Sequence, residues 1–145
     1  MNGRSKKPAS RSKSVADAGS SDAASANGRA ERVGFLLMPD FSMLSFAAVL
    51  EPLRMANRLR QTELYEWHHF SPDGGPVRPS NGIEFAPTRR LDDNLDIDTL
   101  IVVAGIRPMQ HCSKAILAWL RAMANRGVRI GATSTGPLIL ASAGL

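Results

Sequence analysis

Apolar and polar residues follow two different periods along the chain, and each change of period marks a new element. Short apolar or alternating runs between turn residues predict four strands, at residues 33–38, 65–70, 99–103 and 128–132. Longer stretches in which apolar residues recur every three or four positions predict three helices, at residues 41–59, 111–126 and 137–143. The pair Asn81-Gly82, between two short extended segments, predicts a hairpin before the third strand.

This alternation of strands and helices predicts an α/β fold with a mostly parallel sheet. Ligands of such sheets bind at the carboxyl ends of the strands. Here those ends are residues 39–40, 104–106 and 133–135. We therefore expect these three segments to lie together and to form the functional edge of the domain.

Local signals fix where the helices begin and end. Ser42 or Asp40 can cap the first helix through a side-chain oxygen. Pro52 lies inside the same helix and predicts a bend, because proline lacks an N–H and crowds the carbonyl four residues earlier. Gly127 predicts the end of the second helix.

The net charge of +5 is concentrated at the N-terminus. Residues 1–32 carry seven Lys/Arg and three Asp/Glu, whereas residues 33–145 carry eleven and ten. Residues 1–30, rich in Ser and Ala, contain too few large apolar side chains to fold, so we predict a disordered basic tail before a domain at 31–145. The tail could contact nucleic acid, but a solvated tail is favoured, and the nearly neutral domain argues against a dedicated phosphate-binding face.

Composition also limits cofactors and location. The single cysteine, Cys112, excludes an internal disulfide framework and a multi-cysteine metal site, and we predict neither a metal nor a cofactor. The basic N-terminus lacks the apolar region of a secretory signal, and no apolar run approaches the roughly 20 residues that span a bilayer. A cytoplasmic protein without a membrane partner is expected.

The turn at residues 133–135 joins a strand directly to a helix, as in a nucleophile elbow. The first N–H groups of that helix, with the hydroxyls of Ser134 and Thr135, could hold an anion or a carboxylate. Pro137 supports a helix start here. The plainer interpretation, in which one hydroxyl only caps the helix, is compatible with the first.

Catalysis at this turn would need a base, because a serine hydroxyl is activated by a neighbouring general base. His111 is the plausible one, since it follows the third strand, while His68 and His69 belong to the second strand. A His111 with a purely structural or solvent-facing role remains the favoured alternative. Cys112, at a helix start, is interpreted as a half-buried, inert thiol.

Four segments together resemble the ThiJ/PfpI-like domain, which belongs to the class I glutamine amidotransferase-like proteins. These segments are "GFLLMPDFSMLSFAAVLEPLRMANRL", "PSNGIEFAPTRRLDD", "DTLIVVAG" and "GATSTGPLILASAGL". The first is similar to the version of this domain in GlxA-type regulators of the AraC family. The resemblance implies a flavodoxin-like sheet with helices on both faces, incomplete at the C-terminus, and an AraC-type helix-turn-helix domain after Leu145.

The resemblance also implies roles for individual residues. Ser134 stands where the enzymes carry a nucleophilic cysteine, and Glu51 matches a glutamate beside it. Ala104-Gly105 replaces the usual Gly-Gly pair near the oxyanion. Loss of the cysteine favours a non-catalytic pocket that senses a small metabolite, amino acid or amine-like. We expect the pocket to be formed by six residues: Asp40, Glu51, Gly105, Ile106, Ser134 and Thr135.

Two other functions stay open. One is a hydrolase or lyase that uses Ser134 with Glu51 and His111. The other is a dimerisation scaffold, since domains of this kind associate and a homodimer is expected. On the sensing hypothesis the partner is a small-molecule effector, and DNA is contacted only through the helix-turn-helix domain.

Overall fold

A computed structural model describes residues 28–86, 89–91 and 96–145, so most of the predicted tail lies outside the described residues. The elements are, in chain order, β1 (Glu31–Leu37), α1 (Met43–Arg60), β2 (Tyr65–Phe70), β3 (Thr99–Val103), a 3₁₀ helix (Pro108–Gln110), α2 (Lys114–Asn125), β4 (Arg129–Thr133) and α3 (Gly136–Ala143). The four predicted strands and three predicted helices are confirmed, with ends that differ by two or three residues at most.

The four strands form one sheet in the order β2-β1-β3-β4, and every pairing is parallel. Val33 of β1 pairs with Trp67 of β2 on one side and with Thr99 of β3 on the other, which defines the register of these three strands. Because all strands run in one direction, all four carboxyl ends lie at one edge of the sheet. We call it the carboxyl edge.

Helices cover both faces of the sheet, as predicted. On one face Phe46 of α1 packs with buried residues of the central strands, including Phe35 and Val103. On the other face Leu120 of α2 and Ile139 of α3 pack with the strand residues whose side chains point to that face, including Leu36 and Val102. Strands that are covered on both faces are largely apolar, which explains the continuous apolar runs of the sequence.

The first helix begins as its sequence predicts. Ser42 caps α1, and its hydroxyl accepts a hydrogen bond of 3.2 Å from the backbone N–H of Ser45. The helix runs through Pro52 without interruption. It ends at Gln61, whose left-handed backbone (φ 51°) lets its N–H bond back to the carbonyls of the last turn.

Some details differ from expectation. Among the described residues, the segments around Gly82 are joined by an antiparallel bridge between Val77 and Phe85. The 3₁₀ helix after β3 has no counterpart in the sequence pattern. Arg29, assigned to the tail, instead forms a two-pronged ion pair with Asp98 (2.8 and 2.6 Å).

Within the part of the chain that the structure describes, no helix is both long enough and apolar enough to cross a bilayer.

Candidate functional site

The three predicted segments meet at the carboxyl edge. The N–H of Ile106 donates to the carbonyl of Asp40 (3.0 Å), and the N–H of Ser42 donates to the carbonyl of Ala104 (3.2 Å). The hydroxyl of Thr135 donates to the carbonyl of Gly105 (2.7 Å). The ends of β1, β3 and β4 are therefore joined to one another by direct hydrogen bonds.

Glycines allow this close approach. A Cβ atom on Gly105 would lie 2.2 Å from the backbone oxygen of Asp40, which is far inside van der Waals contact. A Cβ on Gly136, the first residue of α3, would lie 2.6 Å from the oxygen of Val102. Both distances are to backbone atoms, so no side chain can move aside to make room. Glycine is thus required for steric reasons at the second position of the Ala104-Gly105 pair.

Backbone strain is concentrated at the same edge. Of the described non-glycine residues, four have left-handed backbones, and three of these lie here: Asp40 (φ 58°), Arg107 (φ 51°) and Ser134 (φ 57°). Such a conformation costs an ordinary residue about 1 kcal/mol or more and persists where the surroundings enforce it. The left-handed Ser134 between β4 and α3 gives the turn the shape of a nucleophile elbow.

The carboxylate of Asp40 has two neighbours, one a cationic side chain and the other a histidine. Its Oδ2 lies 3.3 Å from the Nη2 of Arg107 and 3.3 Å from the Nε2 of His111. Both contacts are long for charge-assisted hydrogen bonds, which are usually 2.7–2.9 Å. Asp40 is about one-third exposed, so it is also open to a third partner.

His111 was expected as a base for Ser134, and in the structure it contacts Asp40. Its ring faces Asp40, and the exposed hydroxyl of Ser134 forms no hydrogen bond with any described side chain. A serine without a general base in contact is a weak nucleophile. The edge holds an elbow, but the described residues do not assemble a triad on it.

Glu51 lies elsewhere, which corrects the expectation that it sits beside the elbow. It follows Ser42 by nine residues, so it is about 13 Å along the helix axis from the capped end of α1. That capped end is the part of α1 that contacts the carboxyl edge. The exposed Glu51 carboxylate instead accepts hydrogen bonds from Arg54 (2.8 and 2.6 Å), which lower its pKa.

The remaining histidine and cysteine candidates are part of the core or its margin. The ring of His69 packs against those of Phe35 and Phe46, and burial lowers its pKa. Burial also raises the pKa of the Cys112 thiol, which disfavours a reactive thiolate. Among the described residues no three His, Cys, Asp or Glu side chains are grouped as metal ligands would be.

A pocket of about 270 Å³ opens next to Asp40. Its wall is formed by the ends of β1 and β2 and by the loop after β2, including Ser71, Asp73 and Val77. A second pocket, of about 580 Å³, lies between the same loop and Trp119 of α2. Neither of these two pockets is lined by Ser134, Thr135 or Glu51, and Asp40 lines the smaller one.

Sequence reasoning missed the contributions of Arg107 and of the loop after β2. Arg107 directly follows the predicted segment 104–106, so its position near the carboxyl edge could have been predicted. Nothing in the sequence pattern indicates its left-handed backbone. The loop was read only as a turn. In the structure its Ser71 is buried and donates to the carbonyl of Gly75 (2.8 Å), which shapes the pocket wall.

The chain is similar to known proteins over most of its length. Residues 31–145 match the model of the DJ-1/PfpI family. Among curated proteins, the chain is 44% identical over 111 residues to the HTH-type transcriptional regulator CdhR of Pseudomonas aeruginosa, covering 77% of this chain and 33% of CdhR. It is 37% identical over 125 residues to the HTH-type transcriptional regulator GlxA of Rhizobium meliloti, covering 85% of this chain and 39% of GlxA.

Among solved structures, the fold superimposes on an AraC family transcriptional regulator from Pseudomonas putida with a TM-score of 0.70 and 30% identity. That match covers 79% of this chain and 61% of the other. The chain spans about a third of the length of the curated relatives that it matches. The predicted resemblance to the ThiJ/PfpI-like domain of regulators is confirmed.

Proposed function

The chain belongs to the DJ-1/PfpI family, and from that premise we propose that it is the effector-sensing domain of a transcriptional regulator. Its relatives are named as HTH-type transcriptional regulators, which favours a regulatory role over an enzymatic one. DNA contact would belong to an AraC-type helix-turn-helix domain, because residues 33–145 carry almost balanced charges. A cytoplasmic location is part of this proposal.

The effector would be a small metabolite with an amine group, such as an amino acid, bound at the carboxyl edge. One observation carries this proposal: the Asp40 carboxylate lines a pocket of about 270 Å³ and is held by two long contacts rather than by short ones. An ammonium group could approach the same carboxylate through the pocket. Asp73, a second carboxylate on the wall, favours a cationic ligand, while Arg78 on the same wall is paired with Glu84.

The other expected ligand-binding residues have a supporting part. Gly105, Ile106 and Thr135 belong to the hydrogen-bonded loops beside Asp40, and Ser134 with the first turn of α3 could accept a ligand carboxylate. Glu51 is left out, because it is exposed and paired with Arg54.

The proposal is tested by titration calorimetry of the purified protein against amino acids, simple amines and carboxylic acids of the same size. We expect binding by compounds with an amine, and its loss in Asp40→Asn. Glu51→Gln is the matched control, since it also neutralises one exposed carboxylate that has an arginine partner. This variant should bind the ligands like the wild type. Unchanged affinity in Asp40→Asn would contradict the proposed site.

A hydrolase or lyase that uses Ser134 is the second candidate, and the left-handed elbow backbone favours it. Among the residues that the structure describes no base contacts Ser134, which disfavours it. The test is turnover of ester, amide or α-dicarbonyl substrates by the wild type and by Ser134→Ala. Turnover that disappears in Ser134→Ala, together with no ligand binding at equilibrium, would favour the enzyme over the sensing domain.

A further inference from the structure

The larger pocket, of about 580 Å³, opens beside α2 and is not used by the proposed effector site. Its volume lies within the usual range of small-molecule sites, about 300–1,000 Å³. It is about twice as large as the pocket beside Asp40. Three segments of the chain line it: Pro72 and Asp73 of the loop after β2, Arg90 with Leu91, and Ala115 with Trp119 of α2.

Direct contacts hold the walls of this pocket in place. The backbone N–H of Arg89 donates to the carbonyl of His69 (3.1 Å), which ties the segment at 89–91 to β2. The ring of Trp119 packs against that of Phe70, with 6.0 Å between the ring centroids. The third wall is the loop that continues β2 directly. All three walls are therefore attached to the last residues of one strand.

Most of the lining is apolar. Trp119 and Ala115 are four residues apart on α2, so they lie on the same side of the helix. The small side chain of Ala115 leaves room beside the half-buried indole, and Pro72 and Leu91 extend the apolar surface from the other two walls. Aromatic rings prefer stacked or edge-to-face contacts with one another. The space beside Trp119 therefore favours a ligand with an aromatic group.

Two side chains of opposite charge, Asp73 and Arg90, lie in the same pocket, and both are exposed. The Oδ1 of Asp73 accepts a hydrogen bond from the N–H of Gly75 (2.9 Å), which orients the carboxylate. Arg90 packs against the same loop, where a Cβ on Gly74 would lie 2.1 Å from its Cγ. A carboxylate has several acceptor sites and a guanidinium several N–H donors, so each can bind a ligand group beside its other contacts. This pair of charges fits a ligand that carries both an ammonium and a carboxylate.

We propose that the larger pocket is a second small-molecule site, which binds an aromatic amino acid. The ring lies against Trp119, the ammonium contacts Asp73 and the carboxylate contacts Arg90. The two pockets share part of the loop after β2 as a wall, but Asp40 lines only the smaller one. The second site therefore does not rest on the proposed effector site.

Calorimetric titration with L-phenylalanine, phenethylamine and phenylpropionate tests the ligand class. It is made in the wild type and in Asp40→Asn, in which the proposed effector site is disabled. Phenylalanine should bind equally to both proteins. In Asp40→Asn the two analogues, which each lack one charged group, should bind at least about tenfold more weakly, because a charge-assisted hydrogen bond is lost. Loss of phenylalanine binding in Asp40→Asn, or equal affinity of that variant for all three compounds, would overturn the proposal.

Asp73→Asn tests the contact with the ammonium. The asparagine keeps an acceptor for the N–H of Gly75, so the loop should keep its shape. Phenylalanine should bind about tenfold more weakly to this variant, whereas phenylpropionate, which has no ammonium, should not be weakened. An equal loss for both compounds would contradict the proposed contact.

Ala115→Leu tests the position of the ring. The larger side chain fills the space beside Trp119 and should lower the affinity for phenylalanine more than about tenfold. Ala118→Leu is the matched control, because Ala118 is another exposed alanine of α2 and does not line the pocket. Leucine is a strong helix former, so both variants should keep the helix, and circular dichroism checks this. Equal affinities of the two variants would contradict the proposed site.

The fluorescence of Trp119 provides a second readout. The chain contains two tryptophans, so Trp67→Phe leaves Trp119 as the sole indole. Phenylalanine should change the emission of this variant, and the change should disappear when Ala115→Leu is added. Binding that is seen by calorimetry without any change in Trp119 emission would place the ligand elsewhere and refute the proposal.

Discussion

The hydroxyl of Thr135 donates a hydrogen bond of 2.7 Å to the carbonyl oxygen of Gly105, and this bond ties the start of α3 to the end of β3. It crosses between two loops that are 30 residues apart in sequence. The carboxyl edge is thus a bonded unit of three loops, and its stability can be examined separately from that of the sheet beneath it.

Thr135→Val keeps the shape of the side chain and removes the donor. We expect a loss of about 1 kcal/mol in the free energy of unfolding, because a partly buried carbonyl loses its partner. Urea denaturation measures it. Ser142→Ala is the control, since Ser142 is exposed and donates within its own helix to Leu138, and it should change stability by less than about 0.5 kcal/mol.

Gly105→Ala should lower the free energy of unfolding by roughly 1–3 kcal/mol, because the new methyl group would overlap the backbone oxygen of Asp40. Gly131→Ala, in β4, is the comparison. A Cβ there would meet no atom within 4 Å, so that variant should be neutral or slightly more stable. Equal stabilities for the two alanine variants would mean that the close approach at Gly105 is unimportant.

The left-handed backbone of Ser134 predicts an unusual order of substitutions. Ser134→Gly should be more stable than Ser134→Val by about 1–2 kcal/mol, because a β-branched side chain at positive φ is strained. At Thr133, in the extended strand before the turn, valine should be accepted and glycine should be the poorer choice. Thermal unfolding of the four variants would show whether the preference reverses between these neighbours.

His69 makes stability depend on pH. Burial against Phe35 and Phe46 lowers its pKa below the ordinary value of 6.5, so between those two pKa values the unfolded chain binds more protons than the folded one. Stability is therefore fully present above pH 6.5 and declines as the pH falls below it. We expect His69→Phe to flatten this part of the profile in urea unfolding measured at several pH values. A profile identical to that of the wild type would contradict this role.

Much of the fold could be predicted from the sequence because the signals were local. The buried parallel strands are short apolar runs, and the cap of α1 by Ser42 and the end of α2 before Gly127 follow from residues within one turn of each helix end. The meeting of residues 40, 105 and 135 then followed from topology alone, since the strands of a parallel sheet end at one edge.

The candidate site was less predictable, because its chemistry depends on backbone angles and side-chain directions. Glu51 was placed at the elbow by resemblance, but its distance from the capped end of α1 is set by the helix rise. His111 was recognised as lying near the edge, but its partner is Asp40 and not Ser134. The direction of the His111 ring depends on the 3₁₀ helix before it. That helix has three residues, which is too short to produce a periodic pattern in the sequence.

The strand order β2-β1-β3-β4 also has a consequence for the growing chain. β1, the first of the four described strands in chain order, is a central strand of the sheet, and Val33 is paired on its second side only after Thr99 has been synthesised. Parallel pairing over such a separation carries a large loop-closure cost and is intrinsically slow. The central strand β1 therefore keeps one edge open until β3 has been synthesised, and contact with other nascent chains or with chaperones is decided in that interval.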